Sequence, residues 1–336
     1  MNDALHVVLG SGQIGSLVAE ALLARGTRVR LVRRGAAGAP RPGLEWRSGD
    51  LSELSFAEEA TRGAAVVYDC TSPPYDAWLT LLLPLARGAM HGARSAGAKL
   101  VALDNLYMYG RVSGPIHEGL PIHPCSKKGE VRAKLAEERQ GLCDRGELPI
   151  ATGRASDFFG PGIVRQTTFG VRFFERVFAG KAAECFGDPD APHTLAYAPD
   201  VARALVTLAD HDEAFGHVWH LPANPAESMR QTTARLAKAI GRPIRVTRVP
   251  RIALRAMGVF EPMAREVAEM AYQWEAPYLV DDSRFRSAFG AKASGASGAN
   301  VAGWTGVTEV DAIMRATGAW AKRTFGAEAR PAAVSG

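Results

Sequence analysis

Short apolar runs alternate with amphipathic stretches through the first half of the chain. Leu5–Leu9, Ala64–Cys70, Lys99–Leu103 and Leu148–Gly153 are mostly apolar, and Thr27–Val32 is half apolar with two valines. Such runs read as strands buried on both faces. Trp46–Leu51 reads as a short strand followed by a polar turn. Between the strands the period lengthens to that of a helix. Ile14, Leu17, Val18, Ala21 and Leu22 share one face, and Gly26 supplies the stop. Ser52–Thr61 is predicted helical, with Ser52 and Ser55 as candidate caps. Tyr75–Gly97 reads as a long apolar helix bent near Pro84, and Ser126–Asp144 as a charged one. Strand–helix alternation of this kind predicts an α/β fold, a Rossmann-type doubly wound parallel sheet covered on both faces.

Beyond Arg154 the alternation decays. Helices are predicted at Thr168–Ala179, Pro199–Asp210, Ser228–Ile240, Ile252–Trp274 and Thr308–Phe325, with a short strand at Val218–Leu221 and a loose Gly/Ser/Ala loop at Gly290–Gly303. The predicted organisation is a sheet domain over residues 1–165, to which 195–222 returns. A smaller, mostly helical substrate-binding region covers 166–194 and 223–325, and a frayed tail covers 326–336.

The junction of the first strand and helix carries chemistry. Gly10-Ser11-Gly12-Gln13-Ile14-Gly15 is a G-x-G-x-x-G turn in the strand–turn–helix context that gives the motif its meaning. Gly10 permits the tight turn, Gly12 lets a pyrophosphate approach the backbone, and Gly15 lets the helix pack on the strand. The helix start at Gln13 and Ile14 offers N–H groups and a positive dipole end to that anion. The second strand runs into Arg33 and Arg34, where an NAD site carries an acidic residue for the ribose hydroxyls. Guanidinium groups pair with phosphate, so the expected cofactor is NADP rather than NAD.

Composition narrows the class further. The chain has 336 residues, enough for one large or two ordinary domains, and 47% hydrophobic residues, an ordinary globular share. Its formal net charge of +5 comes from interspersed residues, so nucleic-acid binding is not expected. Cys70, Cys125, Cys143 and Cys185 match no metal spacing and suggest a reduced thiol set. The first strand begins too early to leave room for a signal peptide. The most apolar window, Ala77–Ala86, is too short to span a bilayer. A cytoplasmic protein without metal or membrane partner is expected.

The ordered landmarks along the chain resemble the extended short-chain dehydrogenase/reductase family, the NAD(P)-dependent epimerase/dehydratase group. They are the glycine turn, Gly49-Asp50-Leu51, Cys70-Thr71-Ser72 and Tyr109-Gly110. Arg154-Ala155-Ser156-Asp157-Phe158-Phe159-Gly160-Pro161 and Asp200-Val201-Ala202-Arg203-Ala204 complete the set. The resemblance covers nearly the whole chain. It implies that Asp50 and Leu51 lie near adenine and that Cys70, Thr71 and Ser72 line the cofactor. The usual turn in that family is G-x-x-G-x-x-G, one residue longer than here, as in a divergent branch.

The resemblance also implies a catalytic Ser or Thr after the fifth strand and a Tyr and Lys in Y-x-x-x-K. Counted from Tyr109-Gly110, these places fall on Asn105, Glu130 and Lys134. The Lys is kept for the nicotinamide ribose, while Tyr has become Glu and the hydroxyl residue Asn. An amide can still donate to a substrate oxygen. A carboxylate could serve as a base, although Glu four residues before Lys is also an ordinary helix-surface pair. If the fifth strand continues, Asn105, Tyr107 and Tyr109 point to one side; Tyr109 is expected to pack, and Tyr107 is the candidate replacement phenol. Asp157 and Phe158 are expected near the substrate. His193 stands where relatives acting on nucleotide sugars often carry a diphosphate-binding Arg. An imidazole is a poor substitute, so a smaller carbonyl or hydroxyl substrate is expected. Phe158, Phe159, Phe169, Phe173 and Phe174 could wall its pocket or form plain core. The expected function is an NADP-dependent oxidoreductase or epimerase/dehydratase-like enzyme working by hydride transfer. Two alternatives are a non-catalytic dinucleotide-binding sensor or scaffold, and a non-redox isomerase, lyase or cyclase with Glu130 as base. A homodimer through Tyr75–Gly97 and Ser126–Asp144 is usual in the resembling family.

Overall fold

The computed structural model describes residues 4–250, 252, 262–290 and 304–326. In chain order, the first elements are β1 (Leu5–Leu9), α1 (Gln13–Ala24), β2 (Arg28–Arg33), β3 (Leu44–Ser48), α2 (Leu54–Thr61) and β4 (Ala64–Asp69). Then come α3 (Trp78–Ser95), β5 (Lys99–Asp104), α4 (Lys127–Asp144), β6 (Ile150–Arg154), β7 (Asp157–Phe159), α5 (Val171–Phe178), β8 (Ala183–Cys185), β9 (Pro192–His193) and β10 (Leu195–Tyr197). The remainder is α6 (Ala198–Asp210), β11 (Val218–His220), β12 (Glu227–Ser228), α7 (Met229–Ile240), β13 (Val246–Arg248), α8 (Pro262–Met270), α9 (Ser283–Phe289) and α10 (Val310–Phe325). Of the expected helix over Ile252–Trp274, residues 253–261 lie outside the described residues, and the rest is helical at Pro262–Met270 and runs into a 3-10 turn at Ala271–Trp274; the expected loop beyond Gly290, through Gly303, and the tail after Gly326 lie outside the described residues.

The chain divides into two compact units. The first holds the described residues of Met1–Ser156, Ala198–Pro222 and Asp281–Gly306. Its sheet has seven strands in the order β11-β6-β5-β4-β1-β2-β3, every pair parallel. The apolar runs explain this. β1 is buried along its whole length, which requires helices on both faces. Two glycines let α3 press close to its neighbours. A Cβ at Gly88 would sit 1.7 Å from the Leu51 carbonyl oxygen, and one at Gly92 would sit 2.7 Å from that of Ala57. Thr61 uses this approach to donate its hydroxyl to the Gly92 carbonyl at 2.8 Å. Among the described residues no helix is long and apolar enough to cross a membrane.

The second unit holds the described residues of Asp157–Tyr197, Ala223–Val280 and Val307–Gly336. The first unit therefore ends nearer Ser156 than the expected 165, and it takes back Asp281–Gly306 as well as Ala198–Pro222. Within the second unit, α5, α7 and α10 pack with three small two-stranded pairs. Ser228 and Gln231 form a capping box at the start of α7, and Gly241 ends that helix in the left-handed conformation. The aromatic residues of α5 enter this core. Phe159, Phe169, Phe173 and Phe174 are all buried and meet edge-to-face in a chain with centroids 5.0–5.1 Å apart.

Candidate active site

Strand order reverses between β1 and β4: the chain runs one way to β2 and β3, and the other way to β5 and β6. In an open parallel sheet a ligand crevice opens at this point, beyond the carboxy ends of the strands. The glycine turn lies there. Gly10 has a positive φ of 93°, and a Cβ on it would stand 2.8 Å from the Cys70 carbonyl oxygen. At Gly15 an added Cβ would come within 1.9 Å of the Gly10 carbonyl. Gly12 differs, because a Cβ there would meet nothing within 4 Å. That open space faces the start of α1, whose N-cap is Gly12 itself, with no side-chain cap and no acidic residue in its first turn. Gln13 and Ile14 follow as the first helical residues. A tight turn, an uncapped helix start and room beside Gly12 fit a pyrophosphate.

On one side of the turn, the end of β2 presents Arg33 and Arg34, both exposed. Asp50 follows β3 and accepts from the Ser52 N–H at 2.9 Å and its hydroxyl at 2.7 Å. Those bonds hold its carboxyl below the usual carboxylate range. Leu51 is buried.

On the other side, β4 and β5 each end on a buried aspartate that organises its own exit. Asp69 Oδ1 accepts from the Thr71 N–H at 3.1 Å and hydroxyl at 2.6 Å. Cys70 between them is buried, and burial pushes its thiol far up. Ser72 is exposed. Asp104 accepts from the Asn105 N–H at 2.8 Å. Asn105 is half-buried; its carbonyl oxygen accepts from the Tyr107 N–H at 3.1 Å. Among the described residues its amide nitrogen has no partner, so the donor end is available.

The strand-like alternation expected for Asn105, Tyr107 and Tyr109 does not occur. β5 stops at Asp104, and Tyr107–Tyr109 is a 3-10 turn, whose side chains fan out at about three residues per turn rather than alternating. Tyr107 is half-buried and stacks on Trp78 with centroids 5.8 Å apart. Tyr109 packs inward, as expected. Its hydroxyl receives an N–H from Arg154 at 2.6 Å and lies 3.0 Å from His220 Nε2.

Helix α4 is turned differently from the count along the sequence. Its buried positions are Lys128, Gly129, Arg132, Leu135 and Arg139. Glu130 and Lys134 are exposed. At about 100° per residue, Lys128, Arg132, Leu135 and Arg139 fall within an arc of roughly 60°, and Glu130 and Lys134 lie about 100° or more from its edges. The structure thus does not bring Glu130 or Lys134 together with Asn105 and Tyr107. The inward i,i+4 pair is Lys128 and Arg132, two residues earlier. Lys128 is only 1% exposed, with its ammonium 4.4 Å above the Tyr75 ring. Arg132 lies 4.5 Å over the Trp78 ring and donates to Asp104 at 2.9 Å. Arg139 bridges Asp104 at 3.3 Å and Asp69 at 3.1 Å. The signal in the sequence was the cap: Ser126 accepts from the Gly129 N–H at 3.0 Å, which starts the helix at Lys127.

In the second unit, Asp157 Oδ2 is 3.2 Å from His193 Nε2, an ion-pair distance without hydrogen-bond alignment. His193 is 2% exposed. Its ring stacks on Trp274 at 3.6 Å and an interplanar angle of 5°, and on Tyr278 at 4.9 Å. Phe158 is half-buried, while Phe159, Phe169, Phe173 and Phe174, open between pocket wall and core in the sequence, are core.

Comparison with known proteins agrees with this architecture. No curated protein matched the chain. Among solved structures, the UDP-glucuronic acid 4-epimerase of Bacillus cereus, in complex with UDP-glucuronic acid and NAD, superposes with a TM-score of 0.74 at 16% identity, over 95% of this chain and 99% of that one. The UDP-glucose 4-epimerase of Thermus thermophilus, complexed with NAD, gives 0.72 at 18% identity over 95% and 99%. The dTDP-glucose 4,6-dehydratase of Bacillus anthracis, also with NAD, gives 0.71 at 14% identity over 95% and 97%. At such identities the likeness is one of fold. A family model matches residues 7–221, from β1 through the end of the sheet. With that match spanning more than half its length, and the glycine turn at the reversal of its strand order, the chain belongs to the NAD dependent epimerase/dehydratase family.

Proposed function

We propose that the protein is a nicotinamide-dinucleotide-dependent enzyme of the epimerase/dehydratase type that acts on a small carbonyl or hydroxyl substrate by hydride transfer. The observation that carries this reading is the open space beside Gly12 at the uncapped start of α1. Bound there, the dinucleotide would supply the hydride acceptor. Gly10, Gly12 and Gly15 would accommodate its pyrophosphate, and Asp50 and Leu51 its adenine end. Asn105 would donate its amide N–H to the substrate oxygen, with the Tyr107 phenol as the nearest replacement for the missing hydroxyl acid. A nucleotide-sugar substrate is disfavoured, because the residue at the diphosphate position, His193, is buried between aromatic partners rather than offered to an anion.

Arg33 and Arg34 favour NADP, since no carboxylate stands at the end of β2 to repel a 2′-phosphate. The solved neighbours contain NAD, so this preference would be a departure from them. Competition calorimetry with the two dinucleotides tests it. Arg33→Ala is expected to lower the NADP:NAD affinity ratio about ten-fold, as loss of one charge-assisted contact does; an unchanged ratio refutes the NADP assignment.

A dinucleotide-binding sensor without turnover is a second reading. It draws on one observation, that the buried positions of α4 include neither a phenol nor a carboxyl. The reading with Glu130 as a base gains nothing from the exposed position of that residue. A panel of small secondary alcohols, aldehydes and ketones separates turnover from binding alone. Reduced nicotinamide is followed by its near-ultraviolet absorbance, and inverted or dehydrated product by NMR. Dinucleotide binding with neither signal across the panel supports the sensor and refutes the enzyme.

A further inference from the structure

Arg154, the last residue of β6, is a buried cation without a carboxylate. It is 3% exposed. Its Nη1 donates to the Tyr109 hydroxyl at 2.6 Å, and its guanidinium lies 5.1 Å from the Tyr109 ring centroid. Burial keeps that phenol protonated, so it supplies no charge. Asp104 is the register partner of Arg154 across the β5–β6 ladder, but it is ion-paired with Arg132 and Arg139. Glu118 spends an oxygen on the His220 N–H at 2.8 Å. Among the described residues Arg154 forms no ion pair. Around the ends of β4, β5 and β6, the buried guanidiniums of Arg132, Arg139 and Arg154 thus face only the buried carboxylates of Asp69 and Asp104. An unpaired charge in such a place is strongly unfavourable.

Arg154 lines a cavity of about 10 Å³ between α4, β6 and the start of β11. The walls follow from the two periods of the chain. Thr152 and Arg154 are alternate residues of β6, and Arg139 and Cys143 are one turn apart on α4, so each pair shares a face. Two donors in these walls are unspent. Arg139 uses Nη1 on Asp104 and Nη2 on Asp69, and Arg154 uses Nη1 on Tyr109. The Nε–H of each is buried and without a partner among the described residues. A buried polar group in that state points to an ordered water or ion. A guanidinium donates and never accepts, so the occupant is an acceptor. The cavity has room for about one water-sized particle, which excludes phosphate, sulfate and carboxylates. A water would accept the N–H groups and leave the charge of Arg154 unmet. A halide ion meets both demands.

We propose that the cavity between α4 and β6 is a halide site that binds one chloride ion, with the Nε–H groups of Arg139 and Arg154 as its donors. The ion completes the charge of the ladder Asp69–Arg139–Asp104–Arg132 and ties α4 to β6. Three strands separate β6 from the glycine turn after β1 in the sheet, so the site stands apart from the dinucleotide reading. The stability of the fold then rises with chloride concentration until the site is filled.

Urea unfolding tests this at constant ionic strength, with sodium gluconate replaced stepwise by sodium chloride; gluconate is too large for the cavity. The chains are the unsubstituted protein, Arg154→Met and Ala136→Leu. The last keeps both arginines and adds bulk at a lining position. In the unsubstituted protein the midpoint should rise and level off. At about 100 times the dissociation constant, the folded-to-unfolded ratio should be about 100-fold higher than in gluconate alone. Both variants should lose the saturable rise, and Ala136→Leu decides the matter if Arg154→Met does not fold. Crystals grown in sodium bromide should show one anomalous peak within hydrogen-bond distance of both Nε atoms. The absence of a saturable rise overturns the proposal, as does a rise that persists undiminished in Ala136→Leu. A water without anomalous signal at that place overturns it as well.

Discussion

His220 gives the sharpest dependence of stability on pH. It is the last residue of β11 and is fully buried. Its Nδ1 lies 3.2 Å from the carbonyl oxygens of Ile116 and of Asp281. A carbonyl only accepts, so Nδ1 carries the proton and Nε2 is the acceptor. Tyr109 therefore donates its hydroxyl to Nε2 at 3.0 Å, while receiving an N–H from Arg154 at 2.6 Å. A second proton on His220 would face a hydroxyl already donating to that nitrogen. Burial is the main cause that lowers its pKa from 6.5 to about 4; Glu118 opposes the shift and Arg154 reinforces it. Burial also raises the Tyr109 pKa, so the phenol stays protonated.

The sign follows from proton counting. Below pH 6.5 the unfolded chain protonates this imidazole, and the folded chain does not until about pH 4. Stability is thus fully present above about pH 6.5 and falls as pH drops toward 4. A difference of about 2.5 units at 1.36 kcal/mol each is roughly 3 kcal/mol. Urea unfolding at a series of pH values, on the unsubstituted chain and on His220→Gln, isolates the effect. Carboxylates far from the site titrate in both and cancel. The difference between the two stabilities should be flat above about pH 6.5 and shrink by up to about 3 kcal/mol toward pH 4. A difference that stays constant over that range would refute the buried neutral imidazole.

Further expectations concern the crevice and its support. Gly12→Ala should leave thermal stability unchanged, since its Cβ meets nothing within 4 Å. It should still weaken dinucleotide binding at least about ten-fold by calorimetry, because the methyl occupies the space for the pyrophosphate. Gly15→Ala, with a Cβ 1.9 Å from the Gly10 carbonyl, should lower both stability and binding. Asp104→Asn leaves Arg132 without its carboxylate and Arg139 with one of two. A loss of about 3–5 kcal/mol in urea unfolding is expected from breaking buried pairs, and a loss under 1 kcal/mol would remove the ladder from the account.

The sheet was legible because its strands announce themselves. β1, β4 and β5 are apolar runs with nothing to hide, and the glycine turn sits between the first of them and an amphipathic helix. Tyr109 was also read correctly as a packing residue. The reading failed where local chain length or polarity misleads. The fifth strand ends where the sequence places it, but its conditional continuation through Asn105–Tyr109 does not occur, because the carboxylate of Asp104 and the side chain of Asn105 each capture a backbone N–H and the chain curls into a 3-10 turn. Such side-chain capture competes with the ladder and leaves no mark in a hydrophobic pattern. Phe159, Phe169, Phe173 and Phe174, whose helical spacing is more often that of plain core, are core.

The register of α4 was the costliest miss, and its cause is physical. Periodicity arguments assume that the inward face of a helix is apolar. Here three of the five buried positions are Lys128, Arg132 and Arg139, so the inward face reads as solvated and the helix as merely charged. Counting from Tyr109 through a loop could not correct this, because a loop's length does not set the rotation of the helix that follows. What sets it is the pair of aspartates that end β4 and β5. Asp69 and Asp104 each fix the turn that follows their strand and bind arginines of α4. The same carboxylates thus shape the crevice and rotate the helix beside it. Glu130 on the inner face would set a third carboxylate beside Asp104, and Lys134 there would leave Asp104 without the guanidinium of Arg132. The ion pairs select the rotation that carries the Lys128 ammonium over the Tyr75 ring.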